Sequence, residues 1–517
     1  MRIISFLVTL GILLASLAAA ATPGFAQTPT LTATLAPTSA ATSTPTVAPT
    51  AATLTPTADT TATGTVVPTT SVTTTPTGVT TPLPTGFSLY VPIAVKGVNG
   101  DDSGIQVQNT TGSSGTASVT YYNQNGTAVA SDGPAALPPN GSITFYQPAN
   151  PSLSPGFDGS AVVQATQPIA AIVNRVNYTR SLASAGSITI PPTSNATQVT
   201  IPLVYGGLNG YVTTISVMNT STSTATYTLN LMSNNASGIT NASQLTIPAN
   251  AVRRVRVGVD TFAPGNFIGT AVISSSSASL TAVAETYNAG TSALLSYAGA
   301  TTGSATTNAP LLFKNYNDWI SGVQVANMSA SGVTVSASLR DRDSGIAFGL
   351  PSVTLGANQG AFFDLSTIAE LPDGFVGSGV FTASGPISAV VQEVNAVQQT
   401  GMGYDGFSAG TSNISIPLIF KGSGGWDTGV QVQNLGSVET AVTIVYTLPS
   451  GITVSEVATV AAGDSVTFYQ PANPNLPSGL VGAATVTSSG QPIVAIVNEV
   501  NYARGGDAAM AYEGINY

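Results

Sequence analysis

The chain has 517 residues, only 7% of them charged, a formal net charge of −10 with 12 Lys and Arg residues in total, and neither Cys nor His. So few basic residues exclude the electrostatic footprint of a nucleic-acid-binding protein, and we predict no nucleic-acid partner. Without Cys or His there are no disulfides, no zinc sites of the usual kinds and no Ser-His-Asp or Cys-His catalytic sites. Any folded domain must therefore be stable through packing alone.

Residues 1–26 are typical of a signal peptide. Arg2 supplies the positive charge, Ile3–Ala20 is an apolar run, and Gly24-Phe25-Ala26 has the small-x-small cleavage pattern. We expect cleavage after Ala26. The alternative is an uncleaved anchor, because the run approaches the ~20 residues that span a bilayer. No second apolar segment follows, so we predict a secreted, cell-surface chain with no transmembrane segment after cleavage.

Residues 27–86 consist almost entirely of Thr, Pro, Ala, Val, Ser and Leu, and no aromatic residue occurs in this segment before Phe87. Such a segment cannot form a core, and regularly placed Pro favours an extended, polyproline-II-like chain of about 3.1 Å per residue. We predict a disordered Thr/Pro-rich stalk. Its composition is that of O-glycosylated stalks, with an unmodified linker as the alternative. In either case the segment acts as a spacer.

The remainder of the chain is a fourfold repeat. Pro92, Pro202, Pro310 and Pro417 open similar stretches that begin 110, 108 and 107 residues apart. The longest shared text is SITFYQPANP at residues 142–151 and SVTFYQPANP at 465–474. The predicted domains are residues 87–197, 198–305, 306–411 and 412–517.

Each repeat shows the pattern of short β-strands. Apolar residues alternate with polar ones in Gly104–Asn109 and its three counterparts, and turn signals such as Gln124-Asn125-Gly126 separate the runs. Helix is expected only as a turn near Pro148–Leu153 and Pro471–Leu476. We predict an all-β protein of four tandem immunoglobulin-like β-sandwich domains, with a jelly roll as the alternative.

A large apolar residue precedes an aligned glycine by two positions in every repeat. The pairs are Phe157/Gly159, Phe267/Gly269, Phe375/Gly377 and Leu480/Gly482. An aligned glycine inside a strand predicts a bulge or a close approach by a neighbouring backbone.

The Thr/Pro stalk followed by VPIAVKG, SGIQVQN, FYQPANP and QPIAAIVN text resembles the tandem β-sandwich repeats of secreted surface proteins in filamentous bacteria of the Chloroflexota type. The resemblance covers residues 86–517 in general form. It implies a structural or adhesive role at the cell surface, and it brings no assigned activity and no functional residues.

Three glutamates are the obvious candidates for acid–base chemistry. Glu285, Glu393 and Glu499 are assigned from the sequence to one repeat position, which Arg175 fills in the first repeat. A glycosidase needs two carboxylates ~5–10 Å apart, whereas these acids are distributed one per domain. We expect them not to converge and to serve structure, with Glu499 and Arg175 facing complementary charges at domain junctions. The prediction is no enzyme and no catalytic residue.

Two acidic clusters raise the question of calcium, which takes oxygen ligands in extracellular repeats. They are Asn99–Asp102 and Asp341–Asp343. Neither recurs in the other repeats, and turn chemistry explains both. We therefore predict no metal and no cofactor.

Aromatic residues in loops are the best indication of ligand binding. Tyr211, Trp319 and Trp426 occupy one repeat position, where exposed rings could stack on sugar. The alternative is that each ring folds over its own sandwich end or fills a domain junction. The Asn-x-Ser/Thr sequons, including Asn109, are as frequent as composition explains.

The leading functional prediction is a non-enzymatic extracellular surface protein, a structural layer, sheath or adhesin component. The alternative is a carbohydrate-binding module array on the cell surface. The expected partners are further copies of the chain, through strand edges that few lysines protect, or a cell-surface polysaccharide.

Overall fold

A computed structural model describes residues 86–179, 184–191, 195–236, 240–261 and 263–517. The predicted signal peptide and all of the predicted stalk except Gly86 lie outside these residues. The described residues are mainly β-strand, with 3-10 helices at Gln147–Ala149, Leu208–Gly210, Leu365–Thr367 and Gln470–Ala472. Among them, no helix has the length and apolar character needed to cross a membrane. The all-β prediction is confirmed, and the two predicted turns form the first and last of these helices.

The strands fall into four groups, which we call copies 1 to 4. Copy 1 contains β1–β8: Phe87–Val98, Asp101–Asn109, Gly115–Asn123, Ala128–Leu137, Ser142–Tyr146, Phe157–Ala165, Ile169–Asn177 and Ser184–Thr189. Copy 2 contains β9–β16: Gln198–Gly206, Tyr211–Asn219, Ala225–Ser233, Asn241–Ile247, Val252–Arg256, Phe267–Ser274, Leu280–Asn288 and Leu294–Ala298. Copy 3 contains β17–β23: Ser304–Tyr316, Trp319–Asn327, Val333–Asp341, Ala347–Leu355, Gly360–Asp364, Phe375–Asn395 and Thr400–Asp405. Copy 4 contains β24–β32: Asn413–Ser423, Trp426–Asn434, Thr440–Thr447, Thr453–Val460, Ser465–Tyr469, Leu480–Ser488, Ile493–Val500, Ala509–Glu513 and Ile515–Asn516.

Each copy consists of two antiparallel sheets packed face to face. In copy 1 the orders are β4-β3-β6-β1 and β5-β2-β7-β8, and pairing at the β1–β2 hairpin joins the sheets. Copies 2 and 4 repeat this order, and in copy 3 the sixth and seventh strands are continuous as β22. Fully buried Val91, Ile105, Val119 and Val163 come from both sheets of copy 1, so the core lies between the sheets.

The immunoglobulin part of the prediction is not confirmed. In the immunoglobulin order the first strand lies beside the second and the seventh beside the sixth. Here β1 pairs along its length with β6, and β7 pairs along its length with β2. A strand shows the same alternation of buried and exposed residues whichever strand it pairs with. The sequence pattern therefore could not distinguish the immunoglobulin order from the observed one.

The aligned proline and the aligned glycine of each copy lie on the two paired strands at one β-bulge. In copy 1, Val91 pairs with Ala161 and Ala94 with Gly159, so Pro92 and the following residue bulge out of the ladder. The same shift follows the aligned proline in the other copies. A Cβ at the aligned glycine would overlap the carbonyl oxygen of Tyr122, Met232 or Arg340, and in copy 4 would lie 2.8 Å from that of Thr447. The predicted close backbone approach is confirmed in all four copies.

The last strands of the copies meet one another. Contacts run from β8 to β16, from β16 to β23, from β23 to β31 and back to β8, in a closed cycle that we call the central contact. Glycine permits the approach: a Cβ on Gly403 would lie 3.2 Å from the ring of Tyr297 in the preceding copy. All four copies belong to one compact unit, Thr80–Tyr517, and the domain boundaries drawn from the sequence stay predictions.

Candidate functional site

The seventh strand of each copy, which in copy 3 is the second half of β22, carries two consecutive polar residues at the same register. We call these two residues the polar pair. The pairs are Asn174-Arg175, Glu285-Thr286, Gln392-Glu393 and Asn498-Glu499. Register corrects the sequence assignment, because Glu285 lies opposite Thr214 at the first position of its pair, whereas Arg175 lies opposite Ser103 at the second. The glutamates therefore do not share one position.

At the junction of copies 1 and 2, the polar pairs meet as a buried ion pair. The Arg175 guanidinium binds the carboxylates of Glu285 from copy 2 and Asp101 from its own copy. Burial lowers the pKa of Arg175, but Glu285 and Asp101 outweigh it and the net shift is upward. The predicted complementary charge for Arg175 is present, and its partner is Glu285.

At the junctions of copies 3 and 4 and of copies 4 and 1, a glutamate meets an amide instead. Asn498 Nδ2 donates to Glu393 Oε2 at 3.3 Å, and Asn174 Nδ2 donates to Glu499 Oε2 at 2.9 Å. Burial raises the pKa of each glutamate to about 8, and the asparagine hydrogen bond only partly offsets it. These carboxyl groups are therefore largely protonated near neutral pH, and Glu499 has an amide partner where a cation was predicted.

The central contact holds acids that sequence reasoning missed. Asp507 of copy 4 accepts hydrogen bonds from Thr400 Oγ1 at 2.6 Å, from the Gly401 N–H at 3.0 Å and from the Leu294 N–H at 2.7 Å. It thereby joins copies 2, 3 and 4. Burial raises its pKa to about 8.

Asp405 and Glu513 form a second such group in the central contact. Asp405 accepts from the Ala298 N–H of copy 2 at 2.8 Å and donates its own N–H to Glu513, whose N–H reaches Thr189 Oγ1 at 2.9 Å. Burial raises the pKa of both acids. The sequence did offer a signal for these acids, because Asp405 and Glu513 each lie in a last strand whose other residues are mostly small or apolar.

The three predicted stacking residues lie at the starts of second strands. Trp319 and Trp426 are buried, with 6% and 8% of their surfaces exposed, and Tyr211 is half-buried against Tyr205 with ring centroids 5.5 Å apart. Trp426 packs with Ala185 of copy 1. The indoles are thus not exposed as sugar stacking would require, and their burial fits the alternative in which the ring fills a junction. Direct ligand stacking by these residues stays a prediction.

Exposed tyrosines lie beside the buried tryptophans instead. Tyr146 and Tyr178 in copy 1 are 48% and 39% exposed, and the aligned Tyr469 and Tyr502 in copy 4 are 47% and 64% exposed. Burial raises the pKa of Tyr178, and Arg504 and Trp426 partly offset it. The signal was available in the sequence, since FYQPANP and VNY occur together only in copies 1 and 4.

Both acidic clusters weighed as calcium sites have protein partners. Asp101 binds Arg175, and Asp341 Oδ1 accepts the N–H of Ser344 at 2.7 Å within a turn. Asp343 pairs with Arg342 at 2.9 Å. Within the described ranges, no group of three or more acidic side chains is arranged to hold a metal ion.

Two small cavities lie between copies. One of about 370 Å³ at the junction of copies 1 and 2 is lined by Arg175, Arg254 and Asp158, among others. Its cations are engaged, because Arg254 binds Asp158 and also donates to Ser216 at 2.7 Å. Another of about 200 Å³ is lined by Thr400, Tyr502 and neighbouring residues.

The sequon asparagine Asn109 is a structural residue. It is fully buried, its Nδ2 donates to the carbonyl of Ser113 at 2.7 Å, and its Oδ1 accepts the N–H of Thr111 at 3.0 Å. Asn219, Asn327 and Asn434 repeat this arrangement. The Asn-x-Ser/Thr text at this position therefore reflects a turn motif.

No family model and no curated protein matches the chain. Among solved structures, Thermotoga maritima 1070 is 14% identical, with 21% of this chain and 96% of that one covered and a TM-score of 0.19. A tetra-tandem repeat from the extending region of a large adhesion protein is 11% identical, with coverage of 83% and 99% and a TM-score of 0.10. Trypsin-activated alpha-2-macroglobulin from Escherichia coli is 10% identical, with coverage of 85% and 41% and a TM-score of 0.10. Scores this low assign neither fold family nor function.

Proposed function

We propose that the chain is a non-enzymatic extracellular surface protein, a structural layer, sheath or adhesin component that displays four mutually docked β-sandwiches. The observation that supports this most is the location of its acids. Glu285, Glu393 and Glu499 are buried, and each bonds to a neighbouring copy. Carboxyl groups held in this way contribute to assembly of the copies and are not presented to a substrate.

Display outside the cell is inferred from the sequence. The predicted signal peptide at residues 1–26 directs export, and the predicted stalk at residues 27–86 separates the sandwiches from an attachment point. The low charge also suits this proposal, because a chain with 12 basic residues has little attraction for nucleic acid.

Surface labelling of intact cells tests this proposal. The full chain, tagged after Tyr517, is expressed in a secretion-competent bacterium beside a variant that lacks residues 3–20. We expect the tagged full chain outside the cells, either on intact cells, where added protease removes the antibody label, or in the medium, and we expect the deletion variant to remain inside. Retention of the full chain in the cytoplasm contradicts the proposal.

Self-association is part of the proposal through the outermost fourth strands, β4, β12, β20 and β27, which end one sheet of each copy. Unpaired strand edges are templates for pairing with another chain. A monodisperse monomer in light scattering at high protein concentration would contradict edge pairing.

The second candidate function is carbohydrate binding. The specific observation in its favour is the exposure of the tyrosine pairs in copies 1 and 4. Tyrosine combines an apolar ring face with a polar end, which suits contact with sugars.

A further inference from the structure

We propose that copies 1 and 4 each carry a binding surface for neutral polysaccharide, formed by Tyr146 and Tyr178 in copy 1 and by Tyr469 and Tyr502 in copy 4. We call these the tyrosine surfaces. The inference rests on the proposed display of the chain outside the cell, and it places the contact on residues other than the tryptophans predicted from the sequence.

The first tyrosine of each surface lies against the neighbouring second strand of its own copy. A Cβ placed on Gly104 would be 3.6 Å from Cδ2 of Tyr146, and one on Gly429 would be 3.7 Å from Cδ2 of Tyr469. Glycine at this position lets the ring lie beside the backbone of the second strand, while nearly half of the residue stays exposed. An aromatic ring held in this way offers a surface on which a sugar ring can stack.

The strand that carries this tyrosine also presents uncharged polar groups. In copy 1, Thr144 donates to Gln106 Oε1, and Gln106 Nε2 donates to Ser142 Oγ at 2.7 Å. Copy 4 repeats the set with Thr467, Gln431 and Ser465, where the second bond is also 2.7 Å. Thr144 and Thr467 are exposed. Because each threonine hydroxyl donates its one proton to the glutamine, its oxygen is left to accept a hydrogen bond from a sugar hydroxyl.

Carboxylates beside the first tyrosine of each surface favour a neutral ligand over an anionic one, although at Tyr178 the Arg504 guanidinium lies over the ring, 3.8 Å from its centroid. Asp102 lies near Tyr146 and Asp427 lies near Tyr469, where each carboxylate adds to the effect of burial in raising the pKa of the phenol. The chain as a whole carries a net charge of −10. A carboxylate accepts strong hydrogen bonds from neutral hydroxyls and repels polyanions.

The second tyrosine of each surface is supported by the preceding copy. Trp426 of copy 4 lies near Tyr178, and Trp319 of copy 3 lies near Tyr502, where each indole partly offsets the rise in the tyrosine pKa that burial causes. The predicted tryptophans therefore lie beside the tyrosine surfaces and are not part of them.

Copies 2 and 3 serve as internal controls. They carry Arg256 and Asp364 where the first tyrosine stands, and Ala289 and Ala396 where the second stands. The chain therefore has two aligned surfaces of this kind within its described residues. When one long polymer reaches both surfaces, its avidity exceeds the affinity of either surface alone.

Affinity electrophoresis of the full chain through gels containing hydroxyethyl cellulose, dextran or laminarin tests the inference, with alginate as the anionic control. We expect retardation by at least one neutral polymer and none by alginate. The double variant Tyr146→Ala/Tyr469→Ala should bind at least tenfold more weakly, and each single variant should fall between. Tyr146→Phe/Tyr469→Phe should retain binding, and Tyr517→Ala, which removes an exposed tyrosine outside both surfaces, should not change it.

Absence of retardation by all three neutral polymers overturns the inference, and so does full binding by a folded double alanine variant. If the alanine variants fail to fold, Thr144→Glu/Thr467→Glu supplies the test, because an exposed charge beside each ring should block the polymer without disturbing the core. Surface labelling separates the two proposals. A chain that is displayed but not retarded contradicts only this inference, and a chain that is retarded but not displayed contradicts only the proposed function.

Discussion

The junction between copies 1 and 2 and the junction between copies 4 and 1 use the same polar-pair positions in opposite ways. In the first, Arg175 forms an ion pair with Glu285. In the second, Glu499 stands where Arg175 stands and accepts a hydrogen bond from Asn174 of the next copy. The comparison shows that a repeated sandwich can bury a polar contact either by pairing charges or by keeping an acid protonated. The two solutions differ in their response to pH.

Removing the cation should have the largest effect. Arg175→Met leaves Glu285 and Asp101 buried without a cation, and we expect a loss of about 3–5 kcal/mol in unfolding free energy at pH 7. Urea denaturation of the full chain measures it. The matched control is Arg342→Met, whose partner Asp343 is largely exposed, and it should change stability by less than about 0.5 kcal/mol. Equal losses for the two variants would show that the ion pair is not what sets this junction apart.

The protonated junctions should make stability fall as pH rises. The pKa of Glu499 is about 8 in the folded chain, against an ordinary value of 4.5 for a glutamate. Between pH 4.5 and pH 8 the folded chain therefore keeps a proton that the unfolded chain has lost. The stabilisation is complete below about pH 4.5 and is lost progressively up to about pH 8, by up to about 1.4 kcal/mol per pH unit for one group.

Glu499→Gln should remove the contribution of this carboxyl group to the fall of unfolding free energy with pH, since glutamine can still accept the Asn174 hydrogen bond without titrating. Urea midpoints at pH 5, 6.5 and 8 measure the change, and Glu393→Gln should act in the same direction. The exposed Glu439→Gln is the control and should leave the slope unaltered. A Glu499→Gln slope that matches the wild type would mean that this carboxyl group ionises freely in the folded chain.

The smallest effect is expected at the rim of the junction between copies 4 and 1. Arg504 lies over the ring of Tyr178, with Cζ 3.8 Å from the ring centroid, and its side chain is exposed. A double-mutant cycle of Arg504→Ala and Tyr178→Leu should give a coupling energy of about 0.5–1 kcal/mol. A coupling indistinguishable from zero would show that the junction is held by its buried contacts alone.

Much of a single copy could be predicted from the sequence, because alternation and turn residues act locally. Gly159 and its counterparts were assigned a close backbone approach, and the structure places a carbonyl oxygen there. In the shared FYQPANP text, however, only the tyrosine became part of the candidate surface. Gln147 and Asn150 are buried, and Gln147 Nε2 donates to the hydroxyl of Tyr121 at 3.0 Å inside the sandwich.

The contacts between copies could not be predicted in the same way. Strand periodicity separates the core face of one sandwich from its outer face, but it does not show which outer residues a neighbouring copy covers. The sequence therefore left open whether Trp319 is exposed or fills a junction, and Asp507 was not recognised as a residue that joins three copies. A one-residue offset also went unnoticed at Glu285, because only the pairing register with Thr214 reveals it.

The last residues of copy 4 have a consequence for how the chain is assembled during synthesis. Asp507 and Glu513 supply hydrogen bonds that reach every other copy, yet they are made hundreds of residues after β1. Earlier copies can fold as they emerge, since N-terminal domains generally do so first. Their final mutual docking must wait until translation has passed residue 513. A premature stop before that point would leave three folded sandwiches without the hydrogen bonds that join them to copy 4.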